Sequence, residues 1–283
     1  MRIFSVALFA TLLVTNSTAQ EAGQRAPPFM TTLGPSAGEF IKNAPSSVAV
    51  GSSAGRYANN ANHTLFIGGS AGYQAHEVNY GVFVGYAAGR FARDNAYSVL
   101  VGYAPGDHAD RSSYSVMLGS LAGLKAKDSP ESIMIGRESG LVAEHAAASV
   151  LIGARAGHAA RGASNAVFVG DGAGSAASDT KDVVLIGAGV DARPGIVNAI
   201  GIGRGAKPVQ DNSWHIPESL KVGVGTAAPT AQLHTTKDVR FEAMKNGVLI
   251  VDRKGNVTAS DLLSEALREI EALKVRISTL EKR

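Results

Sequence analysis

A glycine returns every 17 residues through most of this chain, and this periodicity constrains the fold more than any other feature. The first glycine column is followed four residues later by a second one, and alanine columns keep the same step. The first column comprises Gly34, Gly51, Gly68, Gly85, Gly102, Gly119, Gly136, Gly153, Gly170 and Gly187. A short fixed period of this kind is typical of a solenoid, in which each repeat packs only against its neighbours.

A three-residue apolar segment precedes each first glycine and predicts a short β-strand. Its outer two columns hold β-branched and other aliphatic residues, such as Val82 and Val84, which favour strands. Its middle column varies in size and includes Phe66, Phe83 and Phe168. Because side chains alternate along a strand, one face can fill the interior of the coil and the other is left as an apolar surface. We expect the aliphatic columns inside, and the middle column, with Phe66, Phe83 and Phe168, between the subunits of an oligomer.

The segments before the repeats predict export. Residues 1–19 combine Arg2, an apolar run from Ile3 to Val14, and small residues at Ser17 and Ala19, as in a secretory signal peptide. Residues 20–33 are then a linker or a docking strand, and residues 34–207 are the solenoid. The apolar run is too short to span a bilayer, so no integral membrane segment is expected after cleavage. The chain contains no cysteine, so disulfides do not stabilise it.

The period ends after Lys207, and two further regions are predicted. Residues 208–258 resemble a small β neck, with a turn at 252–256 between two apolar segments. Residues 259–283 predict a parallel coiled coil, because apolar residues recur at alternating steps of three and four. The seam includes Leu263, Ala266, Ile270, Leu273, Ile277 and Leu280.

The end of this helix favours three strands over two. Ile277 and Leu280 are core positions, and Arg276 and Glu281 flank them in the order Arg-h-x-x-h-Glu, where h is apolar. This order resembles the trimerisation motif of short parallel coiled coils, in which the arginine pairs with the glutamate of the next helix. The alternative is an amphipathic helix that packs on its own neck.

Several quoted segments carry a family resemblance. The coils SVLVGYAPG (98–106), SVMLGSLAG (115–123) and SVLIGARAG (149–157), with SVAVG at 47–51, resemble the left-handed parallel β-roll heads of trimeric autotransporter adhesins. The segment VGVGTAAPTAQLH (222–234) looks like part of phage tail fibres and tail-fibre-like bacterial surface proteins. The resemblance implies an all-β, homotrimeric left-handed β-roll with a neck and a coiled coil, located outside the cell or at its surface, with the periplasm as the alternative.

The functional expectation is a homotrimeric, adhesin-like fibre protein that mediates surface attachment or recognition. Its partners would be its own copies and a cell-surface glycan or protein; the alternative is a purely structural spacer. A net charge of +3 without basic runs does not favour nucleic acid. We expect no enzymatic activity, cofactor or metal, because the seven histidines form no column and no ligand spacing is present. A glycan-cleaving spike and a hexapeptide-type acyltransferase are less favoured.

Overall fold

The structure, a computed structural model, describes residues 30–236, 248–251, 257–260 and 262–280. The chain divides into two compact units, one ending at Leu220 and the other beginning at Lys221. The predicted signal peptide, most of the predicted linker and the turn at 252–256 lie outside the described residues.

The first unit is a parallel β-solenoid of about eleven turns, which confirms the predicted class of fold. Twelve strands form one parallel sheet in chain order, each paired with the strand of the next turn. They are β1 (Thr31–Leu33), β2 (Val48–Val50), β3 (Leu65–Ile67), β4 (Val82–Val84), β5 (Val99–Val101), β6 (Val116–Leu118), β7 (Ile133–Ile135), β8 (Val150–Ile152), β9 (Val167–Val169), β10 (Lys181–Ile186), β11 (Val197–Ile202) and β12 (Ser213–His215). Strand pairing therefore extends beyond the predicted limits of 34 and 207 at both ends.

The register of the sheet follows the sequence period. From β1 to β10 each residue pairs with the residue 17 positions later, as in Phe66 with Phe83, so equivalent residues form straight columns along the sheet. The offset shortens at the end, where Lys181 pairs with Val197 and Ala199 with Ser213. A second parallel ladder of single bridges runs from Lys42 through Asn59 to Arg161.

The solenoid interior is filled by the middle residues of the strands. This column is completely buried from β2 to β10, and alanine columns, such as Ala54 and Ala58, are buried beside it. Phe66, Phe83 and Phe168 therefore lie inside a single chain, and the prediction that they face partner subunits is wrong. The aliphatic columns, which we expected inside, point outward instead.

The two glycine columns permit this packing for different reasons. In the first column, Gly51 has φ +125°, and a Cβ there would lie 2.7 Å from the carbonyl carbon of Gly68 in the next coil. In the second column, Gly55 has φ +63°, and a Cβ would lie 3.0 Å from the ring of Phe66. The first column thus allows coils to stack closely, and the second makes room for large interior side chains.

A buried column of hydroxyl groups joins successive coils. The Oγ of Ser115 donates to the carbonyl oxygen of Ser129 at 3.2 Å and accepts from the backbone N–H of Ser132 at 3.3 Å. The same arrangement recurs at Ser98 and Ser132, so it satisfies backbone groups that the sheet leaves unpaired.

Replacing Ser115 with alanine is expected to lower the free energy of unfolding by about 1–3 kcal/mol, because the buried N–H of Ser132 loses its acceptor. Urea denaturation followed by circular dichroism measures this change. The control is Ser52→Ala, at an exposed position; equal stabilities of the two variants would contradict the expectation.

The second unit contains two short β-pairs and one helix. β13 (Val222–Val224) pairs in parallel with β14 (Leu233–Thr235), and β15 (Val248–Val251) pairs in antiparallel with β16 (Val257–Ser260). The hairpin predicted around residues 252–256 is therefore present as a strand pair. Helix α1 (Leu262–Leu280) follows, where a helix was expected.

Candidate interaction surfaces

The outward face of the solenoid sheet is aliphatic along nearly its whole length. We call this surface the aliphatic stripe; its residues are half-buried or exposed in the single chain. They are Val48, Val50, Leu65, Ile67, Val82, Val84, Val99, Val101, Val116, Leu118, Ile133, Ile135, Val150, Ile152, Val167, Val169, Val184, Ile186, Ile200 and Ile202. At a strand spacing of about 4.8 Å and a rise of about 3.3 Å per residue, the stripe covers roughly 500 Å². Monomers seldom leave a larger continuous apolar patch uncovered.

The only tryptophan of the chain extends the stripe. Trp214 pairs in register with Ile200 on the neighbouring strand, and it is 63% exposed. An exposed tryptophan that continues an apolar surface is typical of an interface, where large aromatic side chains contribute most of the binding energy.

Stacked aromatic rings border the stripe in its N-terminal half. His63, Tyr80, Tyr97 and Tyr114 lie two residues before their strands, and their ring centroids are 4.9–5.0 Å apart with planes within 10° of parallel. On the other side, two residues after the strands, Tyr86 and Tyr103 stack at 5.5 Å. Sequence analysis missed both stacks, although three tyrosines spaced by 17 residues were a visible signal.

The stacking limits what these rings can bind. Sugars and cations bind to aromatic side chains mainly through the ring face. In the stack from His63 to Tyr114 the inner faces contact neighbouring rings, so only the ends of the stack present a free face. The exposed parts are ring edges and phenol hydroxyl groups, which suit packing against another protein surface.

Charged side chains form ladders across the coils outside the stripe. Arg90 donates to Asp107 of the next coil at 2.7 Å, and Lys127 lies 3.6 Å from Glu144. The guanidinium of Arg111 donates to Asp128 and lowers the pKa of that carboxyl group. In-register stacking would place like charges together, so these opposite charges in adjacent coils stabilise the register.

One carboxyl group is shifted in the opposite direction. Burial raises the pKa of Asp191, although its Oδ1 accepts a hydrogen bond from the N–H of Ala192 at 2.9 Å. The folded state therefore disfavours the ionised form. This reduces stability above the raised folded pKa, and the loss disappears as the pH falls below the unfolded pKa.

Replacing Asp191 with asparagine is expected to raise the melting temperature at neutral pH, because the amide oxygen can keep the hydrogen bond without a buried charge. The difference from the original protein should shrink as the pH falls through the raised folded pKa. Thermal melts between pH 3 and pH 8 measure this; the control Asp94→Asn, at an exposed position, should show little change. A lower melting temperature for Asp191→Asn at neutral pH would contradict the expectation.

A shallow groove crosses the last coils. It is lined by Glu138, Arg155, His158, Asp171 and Arg204, among others. Glu138 lies 3.3 Å from Arg137, and Asp171 lies 3.6 Å from Arg155, so both carboxylates have cationic partners. Within the described residues, no group of three His, Cys, Asp or Glu side chains could hold a metal ion.

The predicted residues of the helix are only partly described. Ile270, Leu273, Ile277 and Leu280 are exposed in α1, as is Arg276. Leu263 lies in the helix, but its side chain is outside the described residues, as is Glu281. The trimeric coiled coil therefore stays a prediction. Over the described part of the chain, no helix has the length and apolar character needed to cross a membrane.

No family model matches the chain, and no curated protein matches it.

Proposed function

We propose that this chain is the subunit of an exported homotrimeric fibre that mediates attachment or recognition at a surface. The observation that carries the proposal is the aliphatic stripe, a continuous apolar face that the single chain leaves uncovered. Burial of a Val, Leu or Ile side chain contributes about 1.5–3 kcal/mol when complete. About twenty half-exposed residues can therefore stabilise an oligomer strongly.

The helix supports the same assembly independently. Its apolar positions Ile270, Leu273, Ile277 and Leu280 are all exposed, with the three- and four-residue spacing of a coiled-coil seam. Parallel helices in register would cover these residues. The Arg276 and Glu281 positions favour three chains, and the resemblance to adhesin heads adds the left-handed sense of the coil and the 17-residue repeat as its unit.

Sedimentation equilibrium of the purified exported protein tests the assembly. The proposal expects a mass of three chains over a wide concentration range. A mass of one chain would contradict it, and a mass of two chains would contradict the trimer.

The ligand is a separate part of the proposal. A glycan array probed with the intact trimer distinguishes a recognition protein from the second candidate, a structural spacer. Binding to a defined glycan supports recognition. Absence of binding by an intact trimer favours the spacer, which the regular, charge-compensated ladders along the coils also suit.

A further inference from the structure

We infer that the copies meet through the aliphatic stripe, in parallel and in register, so that the residues before each strand of one copy contact the residues after the same strand of the next. This inference rests on the proposed homotrimer and specifies its interface. The occupant of the stripe is thus a second copy of this chain, and each copy has two different neighbours.

Two columns border the stripe, and each is defined by its distance from the strands. The leading column lies two residues before each strand and comprises Ser46, His63, Tyr80, Tyr97, Tyr114, Glu131, Ala148, Asn165, Asp182 and Asn198. The trailing column lies two residues after each strand and comprises Ser52, Gly69, Tyr86, Tyr103, Ser120, Arg137, Ala154, Asp171, Ala188 and Arg204.

Rotational symmetry about an axis parallel to the solenoid decides which of these residues meet. If the stripes face the axis, the leading column of one copy lies against the trailing column of the next, coil by coil at equal height. Tyr80 then meets Tyr86, and Tyr97 meets Tyr103.

The remaining coil pairs are also compatible. Glu131 meets Arg137 in the next coil but one, and Ala148 meets Ala154 after it. No pair in the two columns joins like charges, although both columns contain charged residues. Electrostatic complementarity of this kind fixes the register of an interface.

The Glu131 and Arg137 pair is the most informative. The two residues flank the same strand, β7, on opposite sides, so a strand of three residues, about 10 Å long, separates them within one chain. Arg137 lies 3.3 Å from Glu138, whereas Glu131 forms no ion pair with any of the described residues. The complementary charge of Glu131 at this height is therefore available from a neighbouring copy.

The area is sufficient for a stable assembly. The stripe with both bordering columns is about 50 Å long and about 20 Å wide, or roughly 1,000 Å² per copy. Stable interfaces bury about 800 Å² on each partner. Tyrosine stacks lie at one end of this surface and Trp214 at the other, and both residue types are enriched where binding energy concentrates.

Cysteine trapping tests the arrangement, because the natural chain has no cysteine. The double variant Glu131→Cys/Arg137→Cys, treated with a short bis-maleimide, is expected to give a covalent trimer on a denaturing gel. Each single variant should stay monomeric on the gel, since its cysteine faces a residue that the reagent does not modify. The single variants are therefore the matched controls.

The outcomes separate this inference from the proposed function. A native mass of three chains, with a double variant that does not cross-link, would overturn the interface and leave the trimer standing. Cross-linking that stops at two chains would limit the parallel assembly to a dimer, and cross-linked single variants would show an antiparallel one. A native mass of one chain would end both proposals.

A charge exchange provides a second measurement that does not depend on cross-linking. Glu131→Arg and Arg137→Glu are each expected to lower the urea concentration at which the oligomer dissociates, and the double exchange should recover most of the loss. Glu138→Gln, which removes only the partner of Arg137 within the chain, should leave dissociation nearly unchanged. Additive losses in the double exchange would count against contact between the two residues.

Discussion

Replacing Phe83 with alanine is expected to lower the free energy of unfolding by about 3–5 kcal/mol. The ring is completely buried inside one coil, and it packs edge-to-face against Phe66 with centroids 5.5 Å apart. Removing it leaves a cavity in a thin interior, where the close stacking of the coils at the first glycine column limits collapse. In a solenoid each coil depends on its neighbours, so the loss should affect the coils on both sides.

Urea denaturation followed by circular dichroism measures this effect. Phe83→Leu is the matched variant and should lose much less, because Leu100 fills the same position in the next coil. Tyr97→Ala, at an exposed position, should lose little in the isolated fold. Phe83→Glu should fail to fold. Folded, soluble monomers of Phe83→Glu would mean that the ring faces outward, contrary to the structure.

The location of the strands and their register could be predicted from the sequence, because each column repeats a residue type whose chemistry is plain. Gly51 and Gly68 identified the close approach of successive coils, and Val82 and Val84 identified a strand. Regular columns average out local ambiguity, since an error in one coil is corrected by the others.

The assignment of the two strand faces failed because both are apolar. The variation in size from Ala49 to Phe83 suggested a surface column, whereas the aliphatic columns looked uniform enough for a narrow interior. The second glycine column explains why this was wrong: a Cβ at Gly55 would contact the ring of Phe66, so the missing side chain accommodates a large interior residue. That compensation spans two positions in each coil, and a column-by-column analysis does not reveal it.

The bordering columns of the proposed interface needed the exact strand limits. Glu131 and Arg137 are six residues apart in sequence, a spacing with no meaning until β7 is placed between them. The offset of 16 and then 14 residues near β11 and β12 likewise depends on the end of the solenoid, where fewer neighbours enforce the period.

Introducing two carboxylates into the aliphatic stripe is expected to convert trimers into folded monomers. Val99 is half-buried and Val101 is 37% exposed on the outward face of β5. In the variant Val99→Glu/Val101→Glu, a single chain keeps its interior and leaves both carboxylates in water. Assembly would bring six carboxylates towards the axis without cations, and burying unpaired charges costs several kcal/mol for each ion.

Sedimentation equilibrium and far-ultraviolet circular dichroism together test this expectation. We expect the mass of one chain with an unchanged spectrum, and a shift of Trp214 fluorescence to longer wavelength as the indole gains contact with water. The matched control, Leu124→Glu/Leu141→Glu, introduces the same charges at half-buried aliphatic positions outside the stripe and should remain trimeric. An intact trimer for the Val99 and Val101 variant would show that the stripe is not where the copies meet, because an interface on any other face would tolerate these charges.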